Sequence, residues 1–250
     1  MIETHRLCRN FGSLKAVDRL DLVIEVGETY GFLGPNGAGK TTTIRMLNGL
    51  LKPSSGRILL AGRSYEDGAR LLRRITGLVP DSPPLYDYLT GRQYIQFVAS
   101  LYGVDPSERE MRAEGLLERF GLAGNAGELC KGLSHGMKKK IQIVSVLVAR
   151  PRILFLDEPT TGLDPRSART LKEILVESCR EGATVMLSTH ILDTAEKICD
   201  RIGIIDQGRL KAEGTMEEHR SQEGAGSLED IFLRLTGKTG ETGHVESPAV

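Results

Sequence analysis

The sequence predicts an α/β fold whose core is a largely parallel sheet. Apolar runs alternate with helical stretches along most of the 250 residues. Two of these segments, at residues 152–158 and 184–190, contain a continuous apolar run, which is typical of strands buried on both faces. A glycine-rich stretch also joins a predicted strand to a predicted helix in the first third of the chain. The length allows one large domain, or one domain with an added lobe.

The composition excludes several classes of protein. Lys+Arg and Asp+Glu both number 33, whereas a nucleic-acid-binding protein usually has a basic excess, so we expect no nucleic-acid partner. The longest apolar run, at residues 141–149, is far short of the roughly 20 residues that cross a bilayer. The N-terminus lacks the apolar segment of a secretory signal. The four cysteines are scattered without a C-x-x-C pair, which favours reduced thiols in a cytosolic protein.

The first third of the chain is predicted to be rich in strands. Leu20, Leu22, Ile24 and Val26 recur at every second position, which is the period of a half-buried strand. A short apolar run follows at residues 29–34, then the glycine-rich stretch and a helix. Residues 54–62 predict a turn and another strand.

The middle of the chain interrupts this alternation. Residues 90–121 have helical periodicity, and residues 137–149 predict a further helix. We therefore predict a helical subdomain at about residues 82–140, inserted into a core of about residues 1–81 and 141–220.

The remaining core segments alternate between helix and strand. Helices are predicted at 167–182 and 192–200, and two strands around a Gln-Gly turn at 201–214. One domain thus spans residues 1–237. Residues 238–250 contain few apolar side chains and predict a disordered tail.

The glycine-rich stretch, residues 34–41, reads GPNGAGKT and matches the phosphate-binding motif G-x-x-x-x-G-K-[ST] between a strand and a helix. Backbone N–H groups of such a loop and the following helix N-terminus attract phosphates, the lysine adds charge, and the threonine hydroxyl ligates Mg²⁺. The alternative is a glycine-rich turn that happens to precede a lysine. The residues predicted to bind nucleotide here are Gly34, Pro35, Asn36, Gly37, Ala38, Gly39, Lys40, Thr41 and Thr42.

Two adjacent acids follow the apolar run at residues 153–156. Asp157 is predicted to hold Mg²⁺, and Glu158 to orient or deprotonate the attacking water. The alternative is a pair of solvated acids that cap a strand. His190 ends the neighbouring run at 184–190. A lone histidine is more often structural, but this position lies where another strand delivers a side chain toward the γ-phosphate.

From these motifs, the sequence resembles the ATP-binding cassette (ABC) family over about residues 2–237. Residues 161–165, TGLDP, are similar to the family's D-loop, and His190 to its switch histidine. The resemblance implies a P-loop NTPase (RecA-like) core, an N-terminal antiparallel β part and an inserted α-helical subdomain. It also implies ATP and Mg²⁺ as cofactors, with Glu158, His190 and Lys40 as catalytic residues. Phe11 stands where the family stacks an aromatic ring on adenine, the alternative being a core phenylalanine.

The family's helical lobe carries a signature usually written LSGGQ, and residues 133–137 read LSHGM at that position. The resemblance implies that Ser134 and Gly136 contact the nucleotide bound to a partner subunit, in a head-to-tail dimer with two composite sites. His135 and Met137 depart from the pattern. Three lysines follow at 138–140, and we expect a solvated face, some of it turned to phosphate or to the partner.

A further departure lies at residues 77–86, which resemble the family's Q-loop. Asp81 replaces the glutamine that normally touches Mg²⁺ and senses the transmembrane partner. A carboxylate also ligates Mg²⁺, although it adds negative charge beside the triphosphate. The predicted metal ligands are thus Thr41, Asp157 and Asp81.

The resemblance therefore implies an ATPase subunit of an ABC transporter. LSHGMKKK and residues 227–237 are similar to the exporter branch that is paired with ABC-2-type permeases. The expected partners are separately encoded transmembrane permease subunits, docked around residues 86–94, and a second ATPase subunit. The expected location is cytoplasmic, on the inner face of the cell membrane. Two alternatives stay open: a soluble regulatory or assembly ATPase, and a cassette that binds ATP without hydrolysing it, against which Glu158 and His190 argue.

Overall fold

The computed structural model describes residues 1–82, 85–218 and 228–237. The strands are β1 Ile2–Phe11, β2 Leu14–Ile24, β3 Thr29–Leu33, β4 Ser55–Leu60, β5 Thr76–Val79, β6 Ile153–Asp157, β7 Thr184–Thr189, β8 Arg201–Asp206 and β9 Arg209–Thr215. The helices are α1 Lys40–Leu47, α2 Tyr65–Ile75, α3 Gly91–Leu101, α4 Pro106–Arg119, α5 His135–Leu147, α6 Pro165–Arg180, α7 Leu192–Ile198 and α8 Leu228–Thr236. A short 3-10 helix spans Cys130–Gly132.

The main sheet has six strands in the order β5-β6-β7-β3-β8-β9. The first five are parallel, and β9 pairs antiparallel with β8 at the edge. The predicted α/β fold with a largely parallel sheet is therefore confirmed. Because parallel strands end at one edge, the loops after β3, β5, β6 and β7 meet there, which is where open α/β sheets bind ligands.

A second, antiparallel sheet has the order β2-β1-β4, which confirms the predicted N-terminal β part. Leu20, Leu22 and Ile24 of β2 are buried as their alternation predicts. Val26 is exposed instead, because β2 ends at Ile24 and the chain turns there. The buried face shares one apolar cluster with α1 and the main sheet, so the glycine loop lies between the two sheets.

The inserted helices pack around α5. Helix α5 contacts both α3 and α4, and it also contacts β5 of the main sheet. It continues through residues 140 and 141, where the predicted subdomain ends. A bidentate ion pair also joins the inserted helices to the core, because Arg119 of α4 donates to both carboxylate oxygens of Glu177 in α6 at 2.6 and 2.8 Å. The predicted tail, residues 238–250, lies outside the described residues.

None of the described helices is both long enough and apolar enough to span a bilayer.

Candidate functional site

The glycine loop connects β3 to α1. Gly39 has a φ of 109°, and a Cβ there would press against the carbonyl oxygen of Ala16, so only glycine fits. Lys40 is 6% exposed, and its amine donates to the carbonyl oxygens of Gly34 at 2.6 Å and Pro35 at 3.1 Å. Burial lowers the pKa of the Lys40 amine, which the acids beyond the loop partly oppose. The loop therefore holds one cation at the N-terminus of α1.

Glu158 brings Lys40 and His190 together at the carboxyl edge of the sheet. Its Oε1 atom lies 3.7 Å from Nζ of Lys40 and 3.0 Å from Nδ1 of His190. Its Oε2 atom is buried and has no hydrogen-bond partner among the described residues. The Glu158 backbone has a φ of 46°, and its N–H donates to the Ser188 carbonyl of β7 at 3.1 Å. A strained backbone that is pinned in this way is common at functional sites.

Asp157 is buried at the end of β6, where it accepts a short hydrogen bond from the Ser188 hydroxyl. Thr41, Asp81 and Asp157, the predicted metal ligands, line one groove of about 540 Å³. Two carboxylates and a hydroxyl are the oxygen donors that Mg²⁺ takes. Among the described residues no three His, Cys, Asp or Glu side chains cluster as a complete metal site, so a metal would need other ligands as well.

Phe11 is 45% exposed at the end of β1, so the core alternative for it is wrong. The Arg9 guanidinium lies 4.5 Å from the centroid of the ring. An exposed aromatic ring is compatible with stacking on a base.

The signature lies at the N-terminus of helix α5. Ser134 is exposed and caps α5, accepting a hydrogen bond from the Met137 N–H at 3.3 Å. A Cβ on Gly136 would lie 2.7 Å from the Gly162 carbonyl oxygen, so glycine allows the signature to rest on the D-loop. The His135 ring lies beside Gly162 as well. Among the described residues Ser134 makes no hydrogen bond to the glycine loop.

The expectation that the three lysines form a solvated face is wrong. Lys138 is half-buried, Lys139 is fully buried, and Lys140 is half-buried with its amine 2.8 Å from Asp164. The physical reason is that α5 passes between the helical subdomain and the main sheet. The apolar residues after Lys140 lie on every face of the helix. This pattern indicates a helix that is buried on all sides, so the sequence does contain a signal that the lysines are not solvated.

Known proteins match this chain over nearly its whole length. The ABC transporter family matches residues 17–161. The daunorubicin resistance ATP-binding protein of Streptomyces coeruleorubidus is 39% identical over 232 residues, which cover 93% of this chain and 73% of that protein.

Solved structures share the fold. The structure of an ATP-binding subunit of an ABC transporter superposes with a TM-score of 0.89 at 35% identity, covering 94% of this chain and 99% of that one. A dimeric ATP-binding cassette in a post-hydrolysis state, bound to ADP and phosphate, gives a TM-score of 0.76 at 25% identity over 86% of this chain and 98% of that one. The chain belongs to the ABC transporter family, in which it is an ATP-binding subunit with ATPase activity.

Proposed function

We propose that this chain powers an exporter as one of two ATPase subunits in a head-to-tail dimer that drives separate transmembrane subunits. The observation that carries the proposal is the position of Glu158, whose carboxylate lies between Lys40 and His190 with one oxygen buried and unpaired among the described residues. An unpaired buried carboxylate oxygen is costly, so it favours a site that completes its hydrogen bonds with substrate or water.

The residues divide the chemistry among them. Lys40 exchanges its loop carbonyls for phosphate oxygens of ATP and stabilises their charge. Glu158 accepts the proton of the attacking water, and His190 holds the Glu158 carboxylate in place. Phe11 stacks on the adenine. Mg²⁺, held by Thr41, Asp157 and Asp81, would supply positive charge to the phosphates.

The dimer completes each site with a residue from the partner chain. Ser134 is exposed at the N-terminus of α5, where backbone N–H groups and the helix dipole favour an anion. Among the described residues, Ser134 makes no hydrogen bond to the glycine loop of its own chain. The dimeric cassette among the solved structures supports a dimer, and in this proposal Ser134 and Gly136 face the γ-phosphate on the opposite subunit.

The transmembrane subunits are proposed to dock on the helical subdomain beside the loop after β5. The groove of about 540 Å³ that holds Asp81, Thr41 and Asp157 on one side also has an apolar wall, formed by Leu78, Tyr94 and Val98. Tyr86 and Tyr88 are exposed nearby along the chain. Such docking places the protein on the inner face of the cell membrane. The resistance function in the relative's name supports export as the direction.

The test compares ATP hydrolysis by the purified chain with hydrolysis by Glu158→Gln, while ATP-dependent dimers are followed by light scattering. Loss of the general base is expected to lower kcat at least about a hundredfold, while ATP binding persists and dimers accumulate. Turnover near the wild-type rate would remove Glu158 from the catalytic role. Mixed dimers with Ser134→Ala and Glu158→Gln on separate chains then test the composite sites, because both substitutions would fall in one site and leave the other intact.

Fractionation distinguishes the transporter from a soluble regulatory ATPase. The expected result is recovery with membranes when the permease is present. Recovery in the soluble fraction alone would overturn the proposed coupling to transport.

A further inference from the structure

Lys139 is a buried cation that the proposed mechanism does not use. It is 0% exposed, although lysine is almost never fully buried unless it is paired. Its amine donates to the carbonyl oxygens of Pro80 at 2.9 Å and Asp81 at 2.7 Å, and it lies 3.5 Å from the carbonyl oxygen of Asp157. Three backbone carbonyls from two separate segments of the chain thus converge on one ammonium group.

No carboxylate of the described residues lies within ion-pair distance of this amine. Burial lowers the pKa of the Lys139 amine below its usual value, and the nearby acids, Asp81 first among them, only partly oppose this shift. Burying an ammonium group on neutral carbonyls is costly, and an apolar side chain of equal length would fill the same space at lower cost. Overall stability therefore does not explain why a lysine is buried here. The two backbone segments that its amine joins explain it better.

The three carbonyls belong to the two segments that adjoin the hydrolysis site. Pro80 and Asp81 directly follow β5, next to the groove proposed for the transmembrane subunit. Asp157 ends β6 and immediately precedes Glu158. Lys139 itself lies on α5, five residues after Ser134, which caps this helix. A displacement of the signature end of α5 therefore reaches both segments through one side chain.

We propose that Lys139 is a positioning residue for hydrolysis, which sets the loop after β5 and the end of β6 according to the position of the signature helix. The inference rests on the proposed function, because it requires ATP hydrolysis at Glu158. Within the described residues, Lys139 makes no hydrogen bond to the glycine loop or to Glu158, and it reaches Asp81 and Asp157 only through their backbone carbonyls, so ATP binding should depend on it much less than hydrolysis does.

The experiment uses Lys139→Met in the complete chain, which keeps an unbranched side chain of nearly the same length and removes its charge and donors. We expect kcat to fall at least about tenfold while the Kd for ATP changes less than about twofold, because misplaced catalytic groups reduce turnover more than binding. Lys139→Arg, which keeps charge and donors, should recover much of kcat. Lys172→Met on α6 is the matched control, since Lys172 lies outside the signature segment and its side chain makes no hydrogen bond or ion pair with any described residue.

The outcomes separate the inference from the proposed function. No hydrolysis by the wild-type chain would overturn the proposed function, and the inference with it. Wild-type hydrolysis with an unchanged kcat in Lys139→Met would overturn the inference alone. Equal losses of kcat and ATP affinity, together with a lowered Tm, would show a merely structural role. If Lys139→Met does not fold, Lys139→Gln replaces it. Its amide is shorter than the lysine side chain and carries no charge, so it should reach fewer of the three carbonyls and kcat should still fall, and an unchanged kcat would overturn the inference.

Discussion

The glycine loop, residues 34–41, and the signature segment, residues 133–140, are built from the same kinds of residue, but their lysines find their hydrogen-bond partners in different parts of the chain. Both place glycine and lysine around the N-terminus of a helix. Lys40 donates to two carbonyls of its own loop, five and six residues away. Lys139 donates to carbonyls 58 and 59 residues away, and Lys140 pairs with Asp164 in the D-loop.

The difference shows how much of each region depends on the rest of the fold. The glycine loop needs little more than its own sequence to form a phosphate site, because its donors, cation and helix dipole are adjacent along the chain. The signature segment is held by contacts to distant parts of the chain. A change in the glycine loop should therefore weaken ATP binding, whereas a change in the signature segment should slow the hydrolysis of ATP that is already bound.

Among the changes that test this comparison of the two segments, the largest effect is expected from Lys40→Ala. Loss of the cation removes charged hydrogen bonds to phosphate, so the affinity for ATP should fall roughly 10- to 100-fold, as measured by nucleotide titration. Lys52→Ala is the control, because Lys52 is an exposed lysine outside the loop. Wild-type affinity in Lys40→Ala would contradict the assignment of the phosphate site.

An intermediate effect is expected from Gly136→Ala in the signature segment. The added methyl would lie 2.7 Å from the Gly162 carbonyl oxygen, which forces the signature away from the D-loop. We expect hydrolysis to fall roughly tenfold with little change in ATP affinity, since a displacement of about 1 Å lowers catalysis by up to about 100-fold. Gly132→Ala is the matched control, because a Cβ there meets nothing within 4 Å. Equal activities of the two variants would show that the contact with Gly162 is not needed.

The same contrast explains which elements the sequence can predict. The glycine loop, the two acids at the end of β6 and the long buried strands depend on local pattern, and the structure contains them where the pattern indicates. The four-residue strand β5 escapes prediction because it is too short to show a period. Helix α2 escapes it because Gly68, with a φ of −143°, interrupts its helical pattern. The environments of Lys139 and Lys140 escape prediction because the partners of their side chains lie far away in sequence.

The smallest effect is expected from Asp164→Asn, which breaks the ion pair that joins the signature helix to the D-loop. Asparagine caps a helix about as well as aspartate, so α6 keeps its cap and only the charge is lost. Lys140 and Ser167 hold the pKa of Asp164 below its usual range. Since Asp164 is half exposed, the pair contributes at most about 1 kcal/mol, and Tm at pH 7 should fall by no more than about 2–4 °C.

The pH dependence of this small effect tests its origin. A carboxylate with a lowered pKa stabilises the fold above its unfolded pKa of about 3.9, and this contribution is lost as pH falls through the lower folded value. The difference in Tm between wild type and Asp164→Asn should therefore be constant from about pH 5 upward and shrink below about pH 4. Asp193→Asn, which breaks an exposed pair with Lys197 on α7, serves as the control. A large loss of hydrolysis in Asp164→Asn with an unchanged Tm would instead place this ion pair beside Lys139, among the contacts that transmit the position of the signature helix.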